Sequence, residues 1–157
     1  RGCGGGRRGG RSLGRGLLVE LSLRLAVDPV PASRPRFVRR GNFTGTYYAG
    51  RYKKFLQEDG LIALEAALRA PVYQDMEDPV ESLPFTGPVM VFASFHITKP
   101  KTTKLAFPKG DIDNYTKGLL DILQPTVITN DNQVIEMQAI KQWANNQPHI
   151  KVVIQSL

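Results

Sequence analysis

Residues 89 to 97, VMVFASFHI, carry the two-residue alternation that is typical of a β-strand. Successive side chains of a strand point to opposite faces of its sheet, so the stretch divides into two sets. One face takes Val89, Val91, Ala93 and Phe95, and the other takes Met90, Phe92 and Ser94. The segment therefore predicts a strand, and the elements on both sides of it decide the class of fold.

Helical and strand patterns alternate on both sides of this strand. Residues 17 to 27 alternate as a strand, residues 28 to 48 predict a long loop with prolines and arginines, and residues 49 to 70 have helical periodicity. After it, we expect a helix over 112 to 124, a strand from near Gln133, and a last strand beyond a turn at Asn145 and Asn146. The order β-α-β-α-β-β predicts a single α+β domain with two helices packed on a mixed sheet.

Length and composition limit the class of protein. The chain has 157 residues, of which 41% are hydrophobic and 22% charged, and this is typical of one soluble domain with a core. No apolar run approaches the roughly 20 residues that span a membrane, and nothing resembles a signal peptide. The single Cys3 excludes an internal disulfide framework and a cysteine-rich zinc site. We therefore expect a cytoplasmic protein without a membrane partner.

The net charge of +7 suggests a polyanionic partner, but the charge is unevenly distributed. Residues 1 to 16 contain five arginines and no acid, so they supply +5 and leave +2 for residues 17 to 157. The first 16 residues are Gly- and Arg-rich, and we expect a disordered extension there. It is either an upstream extension without a role or a nonspecific nucleic-acid tail. The folded domain is expected over 17 to 157.

The segment KGDIDNYTKGLLDIL, residues 109 to 123, interleaves aspartates with lysines on an amphipathic helix. Asp111 suits the N-cap, and Asp113 suits the first turn, where the helix dipole favours an acid. Asp113, Lys117 and Asp121 recur every fourth residue and share a face. They form either a solvated ion-pair ladder or a site where Lys117, oriented by Asp121, neutralises charge on a phosphate.

A third carboxylate, Asp131, precedes a strand in the segment TNDNQVIEM, residues 129 to 137. Asp111, Asp113 and Asp131 can converge where the helix N-terminus meets the sheet edge. Carboxylates without a nearby Cys or His pair form a hard oxygen site, which selects Mg²⁺ or Mn²⁺ over Zn²⁺. Such ions activate water and stabilise the leaving oxygen in phosphodiester cleavage.

Two basic loops complete the candidate site. Four arginines lie close together after the first strand, and further lysines lie just before the acidic helix. They are either DNA phosphate contacts or ordinary solvated loops, and we predict DNA contacts. The residues are Arg34, Arg36, Arg39 and Arg40 in the first loop, and Lys101, Lys104 and Lys109 in the second.

The motifs DIDNYTKGLLDIL and NDNQVIE together resemble the signature of RusA-type Holliday junction resolvases. The loop PASRPRFVRRG also resembles the one that follows the first strand in phage-type members. The resemblance extends over residues 19 to 155. It implies a homodimeric, Mg²⁺-dependent endonuclease of a bacterial or phage-infected cell. Such an enzyme makes paired nicks in four-way DNA junctions during recombination and repair.

By matching position, the resemblance implies that Asp111, Asp113 and Asp131 are catalytic, metal-binding acids and that Lys117 is the catalytic lysine. Asn130 stands where many members have another Asp. A two-fold dimer would present two identical sites to two equivalent phosphates of a junction. Two alternatives stay open: a branched-DNA-binding protein that does not cleave, and a general metal-dependent nuclease with little structure preference.

Overall fold

A computed structural model of the chain describes residues 19 to 47, 49 to 70 and 83 to 157. The extension expected at 1 to 16, like the acidic connection around 74 to 81, lies outside the described residues. The strands are β1 (Glu20–Leu25), β2 (Arg36–Arg40), β3 (Phe43–Tyr47), β4 (Val89–Ile97), β5 (Val134–Trp143) and β6 (His149–Ser156). The α-helices are α1 (Gly50–Lys54), α2 (Gly60–Arg69) and α3 (Ile112–Leu123), with one π-helical turn (Phe55–Asp59) joining α1 to α2. The predicted α+β class is confirmed.

Four strands form a mixed sheet in the order β1-β6-β4-β5. Strand β6 runs antiparallel to both β1 and β4, and β5 runs parallel to β4. Asn145 and Asn146 lie in the connection between β5 and β6, as predicted, but these two strands are not hydrogen-bonded neighbours. Strand β4 lies between β5 and β6 in the sheet, so the connection from β5 to β6 crosses the end of β4.

One face of the sheet forms the core together with α2 and α3. Val89, Val91 and Phe95 of β4 are buried, as the alternation predicted. The ring of Phe95 lies 5.7 Å from that of Tyr115 on α3, which places this helix on the same face. Each fully buried side chain of this size contributes about 1.5–3 kcal/mol. The sheet and helices are therefore a rigid support for the end of α3 that carries the acids.

Close packing around α3 depends on two glycines. A Cβ at Gly60 would lie 2.6 Å from the carbonyl oxygen of Phe55 and 3.1 Å from the side chain of Ile122 on α3. A Cβ at Gly118 would lie 2.8 Å from the carbonyl oxygen of Val30. These approaches bring the helical segment of residues 50 to 69, and the chain that leaves β1, against α3.

The expectation of an irregular loop over 28 to 48 was wrong for Arg36–Tyr47. Strands β2 and β3 form an antiparallel two-stranded ribbon whose turn contains Gly41, at φ 60°. Positive φ is adopted readily by glycine, which fits this turn. Strand β2 carries exposed arginines and buries none of its side chains, so the hydrophobic alternation that identifies a strand is absent from it.

Apart from the buried His149, the second face of the four-stranded sheet carries half-buried and exposed side chains. Phe92 and Val153 lie at its centre, with His96 stacked on His149 toward one end at a ring distance of 4.0 Å. Within the described segments, no helix is long and apolar enough to cross a membrane.

Candidate active site

Asp111 occupies the N-cap position of α3, with φ −78° and ψ 140°. Its carboxylate makes no capping hydrogen bond, although the sequence offered capping as a complete explanation for an acid there. The side chain is exposed at the start of the helix. The conformation is therefore that of an N-cap, while the carboxylate does not perform the capping function.

Asp113, Lys117 and Asp131 line one surface cleft of about 460 Å³. Asp113 and Lys117 come from the first two turns of α3, and Asp131 comes from the 3₁₀ turn Asp131–Gln133 that leads into β5. The Nζ atom of Lys117 lies 3.9 Å from Oδ2 of Asp131. Of the three acids expected to converge, Asp113 and Asp131 line this cleft together with Lys117, whereas Asp111 does not. The cleft is completed by Ile112, Thr116, Leu120, Met137 and Ala139.

Lys117 also contacts Asp121, one turn further along α3. Its Nζ atom lies 3.0 Å from Oδ1 of Asp121 and donates a hydrogen bond to it. The hydroxyl of Tyr52, a buried residue of α1, donates to Oδ2 of the same carboxylate. Asp121 thus joins a buried tyrosine to the lysine of the cleft. The sequence predicted that Asp121 contacts Lys117, but it did not predict the contact with Tyr52. Tyr52 was missed because 69 residues separate it from Asp121.

The loop that carries Asp131 is fixed by a capping box. Asn130 accepts a hydrogen bond from the backbone N–H of Asn132 at 3.0 Å, and Gln133 accepts one from the N–H of Asn130 at 2.8 Å. The amide of Gln133 also donates to the carbonyl oxygens of Phe85 and Gly87. Asn130 therefore has a clear structural role in this chain. The Asn-x-x-Gln spacing was a capping-box signal in the sequence.

A second contact ties the Asp131 loop directly to α3. The backbone N–H of Asp131 donates to Oε1 of Gln124 at 3.2 Å, and Gln124 follows the last residue of the helix. The amide of Gln124 in turn donates to the carbonyl oxygen of Leu120 at 3.0 Å. The two elements that supply the cleft acids are thus linked by hydrogen bonds as well as by packing.

The carboxylates offer oxygen ligands for a divalent ion, but not as a closed cage. Within the described residues, no three Asp, Glu, His or Cys side chains lie close enough together to hold a metal. Asp113 and Asp131 share the cleft, whereas Asp111 does not line it. Mg²⁺ commonly binds through one or two carboxylates, with water and substrate phosphates as its other ligands. The donor set of Asp113 and Asp131 fits that mode of binding.

The basic loop before α3 is fastened to the fold at three points. The indole N–H of Trp143 donates to the carbonyl of Leu105 at 3.0 Å, and the hydroxyl of Tyr115 donates to that of Lys109 at 3.2 Å. Lys141 donates to the carbonyl oxygen of Gly110, next to Asp111. Burial raises the pKa of Tyr115, which keeps its hydroxyl a donor. These anchors, which the sequence did not reveal, hold residues 105 to 110 against the fold, in the loop that also carries Lys101, Lys104 and Lys109.

The predicted arginines lie on or beside the β2–β3 ribbon. Arg36, Arg39 and Arg40 are exposed on β2, and Arg34 is exposed just before it. None of the four forms an ion pair with another described residue. Their guanidinium groups are therefore available to an anionic ligand.

Comparison with known proteins gives two matches. The sequence profile of the family described as endodeoxyribonuclease RusA matches residues 26–155, which is most of the chain. The chain is also 26% identical over 137 residues to the uncharacterized protein YqaN of Bacillus subtilis (strain 168), covering 83% of this chain and 92% of that protein. The family match begins directly after β1, continues from β2 into β6, and includes every residue of the cleft.

Proposed function

This chain belongs to the RusA family of endodeoxyribonucleases, and we propose that it resolves four-way DNA junctions by paired, Mg²⁺-dependent cleavage of phosphodiester bonds. The observation that carries the proposal is the shared cleft of Asp113, Lys117 and Asp131. It combines oxygen ligands for a metal ion with a cation, and both can stabilise the negative charge that develops in phosphodiester cleavage. We place the activity in DNA recombination and repair, in the cytoplasm of a bacterial or phage-infected cell.

Asp113 and Asp131 would hold the metal ion. We assign no metal ligand to Asp111, because it does not line the cleft. The chemistry that a bound Mg²⁺ supplies, or Mn²⁺ in its place, is Lewis-acid assistance to the attack of water and the departure of the leaving oxygen. The carboxylate of Asp113 accepts the N–H of Asn114 at 3.0 Å, which restrains its position. Asp131 is restrained through its backbone by Gln124.

Lys117 is proposed as the catalytic cation of the cleft. Its ammonium group would stabilise negative charge that develops on the scissile phosphate. Between substrates it is held by Asp121, at 3.0 Å, and attracted by Asp131, at 3.9 Å. The DNA phosphate would therefore meet a positioned cation, and Asp121 with Tyr52 would keep it in position.

The basic residues around the cleft are proposed as phosphate contacts. The ribbon supplies Arg36, Arg39 and Arg40, with Arg34 at its base, and the loop before α3 supplies Lys101, Lys104 and Lys109. Phosphate contacts of this kind position a duplex without reading its sequence. They would hold one arm of the junction with a backbone phosphate at the cleft.

Resolution requires two cuts, and we propose that a homodimer makes them through two identical sites. Arg24 on β1 lies directly across from Lys151 on β6, on the face of the sheet opposite the core. Like charges in register destabilise a sheet unless an acid reaches them. Neither forms an ion pair within the described residues, so acids of a second copy would relieve the repulsion.

The same face supplies the complementary acids. Glu20 and Glu136 lie in one row across the sheet, and Arg24 and Lys151 lie in another row nearer the opposite end of the strands. Two copies can pack these faces together about a two-fold axis that lies in the interface and runs across the strands. Each acidic row would then lie over the basic row of the partner. An apolar groove of about 570 Å³, lined by Phe92, Ile140 and Val153 among others, would be buried between the copies.

The proposal is tested with a synthetic four-way junction and a linear duplex of matched sequence, each incubated with and without Mg²⁺. The expected result is symmetric nicking of the junction only, only with metal, and not by Asp113→Asn. Junction binding without nicks at any Mg²⁺ or Mn²⁺ concentration would make the protein a branched-DNA-binding module instead. Equal cutting of the linear duplex would make it a general nuclease.

A further inference from the structure

Phe37 and Phe43 are large apolar side chains that the β2–β3 ribbon leaves in solvent. Phe37 is 79% exposed and Phe43 is 69% exposed. A two-stranded ribbon buries little by itself, so neither ring is explained by the stability of the core. Exposed aromatic side chains concentrated on a small element are typical of a binding surface.

The register places one aromatic ring on each face of the ribbon, and an arginine accompanies each ring. Arg40 lies directly across from Phe43, while Phe37 shares the other face with Arg39. The ring of Phe43 lies against the backbone of Gly45, where an added Cβ would come within 2.8 Å of it. Each face thus combines a flat apolar group with a cation.

The charge around the ribbon fits one class of ligand. Residues 29 to 57 contain seven arginines and lysines and no acid. The ribbon arginines make no ion pair with another described residue. A surface that combines unpaired cations with exposed aromatic rings matches nucleic acid whose bases can stack, since phosphates meet the cations and base faces meet the rings.

The base of the ribbon is attached to the helix that carries the cleft. The N–H of Ala32 donates to the carbonyl oxygen of Asn114 at 2.8 Å, and Asn114 follows Asp113 directly. The chain that leads into the ribbon also packs against Gly118 of α3, where an added Cβ would lie 2.8 Å from the carbonyl oxygen of Val30. Beyond the ribbon, the N–H of Ala49 donates to Ser33 Oγ at 3.3 Å and closes its base. The base of the ribbon is therefore fixed to the end of α3 that carries the cleft, and DNA held by the ribbon would extend toward the cleft.

From these observations we infer that the β2–β3 ribbon recognises the branch point of the junction, with Phe37 and Phe43 stacking on bases that the crossover leaves unstacked. This inference rests on the proposed function, and Phe37 and Phe43 would give the protein its preference for branched DNA. In a continuous duplex both faces of each base are already stacked, so the rings gain no partner there. At a branch point a base face is open, and stacking on an aromatic ring stabilises the complex.

The test compares Phe37→Ala, Phe43→Ala and the double variant with the unmodified protein, without divalent metal so that no DNA is cut. Dissociation constants are measured for a four-way junction and for a matched linear duplex. We expect the double variant to bind the junction roughly tenfold or more weakly, as loss of base–aromatic stacking does, with duplex binding unchanged. Ile62→Ala on α2 is the matched control, since Ile62 is exposed to a similar degree.

A spectroscopic measurement identifies stacking directly. A 2-aminopurine placed at the branch point should change its fluorescence when the unmodified protein binds, and Phe43→Trp, which keeps an aromatic ring, should retain junction affinity. The double alanine variant should lose both effects. Unchanged junction affinity in that variant, or an equal loss on junction and duplex, would overturn the inference. Metal-dependent cleavage by the unmodified protein would show in those cases that the proposed function still stands.

Discussion

Lys117 and Asp121 form an ion pair along one turn of α3, with Nζ 3.0 Å from Oδ1, while the second oxygen of the carboxylate accepts the hydroxyl of Tyr52. The carboxylate therefore connects the buried end of α1 to a lysine on the surface of a cleft. An exposed ion pair alone contributes little to stability, typically below about 1 kcal/mol. This pair lies beside Asp131, and its main effect is to fix the position of the Lys117 ammonium group in the cleft.

The first prediction concerns this connection. Asp121→Asn and Tyr52→Phe should each slow junction cleavage by roughly tenfold or more, the effect typical of residues that orient a catalytic group. Neither should weaken junction binding, because Lys117 keeps its charge. The measurement is single-turnover cleavage at saturating enzyme, with Glu65→Gln, which removes the exposed ion pair to Arg69 on α2, as the control. Unchanged rates in Asp121→Asn, alongside an inactive Lys117→Ala, would remove the positioning role.

The second prediction concerns the metal. Asp113→Asn and Asp131→Asn should each weaken Mg²⁺ or Mn²⁺ binding measured by calorimetry, because each removes a charged oxygen ligand from the cleft. Glu65→Gln on α2, outside the cleft, should bind the ion as the unmodified protein does. Chelation by EDTA should stop cleavage, and added Mg²⁺ should restore it. Full metal affinity in both aspartate variants would place the ion elsewhere.

Much of this site could be predicted from the sequence. Tyr115, Leu119, Ile122 and Leu123 recur at helical spacing and are buried as expected, so the face that carries Asp113 and Lys117 was fixed by the pattern. The same helical spacing predicts that Ile112 belongs to this buried stripe, but Ile112 is exposed in the first turn, where it lines the cleft. A terminal residue has few helix neighbours to cover it.

Other features lay outside the reach of the sequence because they depend on distant pairs. The contact between Tyr52 and Asp121 joins positions whose proximity follows only from the packing of the segment around Gly60 on α3. Similarly, Lys141 on β5 donates a hydrogen bond to the carbonyl oxygen of Gly110 in the loop before α3. The two residues come together because β5 pairs with β4 at the edge of the sheet that this loop contacts. The ribbon was missed for another reason: β2 buries none of its side chains, so no alternation of apolar and polar residues marks it.

The third prediction concerns the dimer. Ile140 is 58% exposed on the sheet face opposite the core, and Ile140→Glu should introduce a charge into the proposed interface. We expect the unmodified protein to sediment as a dimer and this variant as a monomer, with the fold retained by circular dichroism. Ile62→Glu on α2 adds the same charge to an exposed isoleucine elsewhere and should remain dimeric. A dimer in both variants would exclude this face.

The fourth prediction concerns the pH dependence of stability. Burial lowers the pKa of His96 below its ordinary value of about 6.5, and His149, Lys151 and Arg24 lower it further. Above that value both folded and unfolded chains hold the side chain neutral, and the stability is fully present. As the pH falls toward the lowered pKa, the unfolded chain takes up the proton first, and stability is lost. His96→Gln should therefore reduce the slope of the unfolding free energy against pH as the pH falls below 6.5, measured by urea denaturation. A slope identical to that of the unmodified protein would contradict this origin.

The central claim, paired cleavage of a junction by a metal-dependent dimer, is tested most directly on a supercoiled plasmid that extrudes a cruciform. Two coordinated nicks across the junction convert the plasmid to a linear product, whereas a single nick gives an open circle. With Mg²⁺, the account predicts linear product from the unmodified protein and none from Asp113→Asn. Open circles alone, or equal cutting of a plasmid without the inverted repeat, would contradict it.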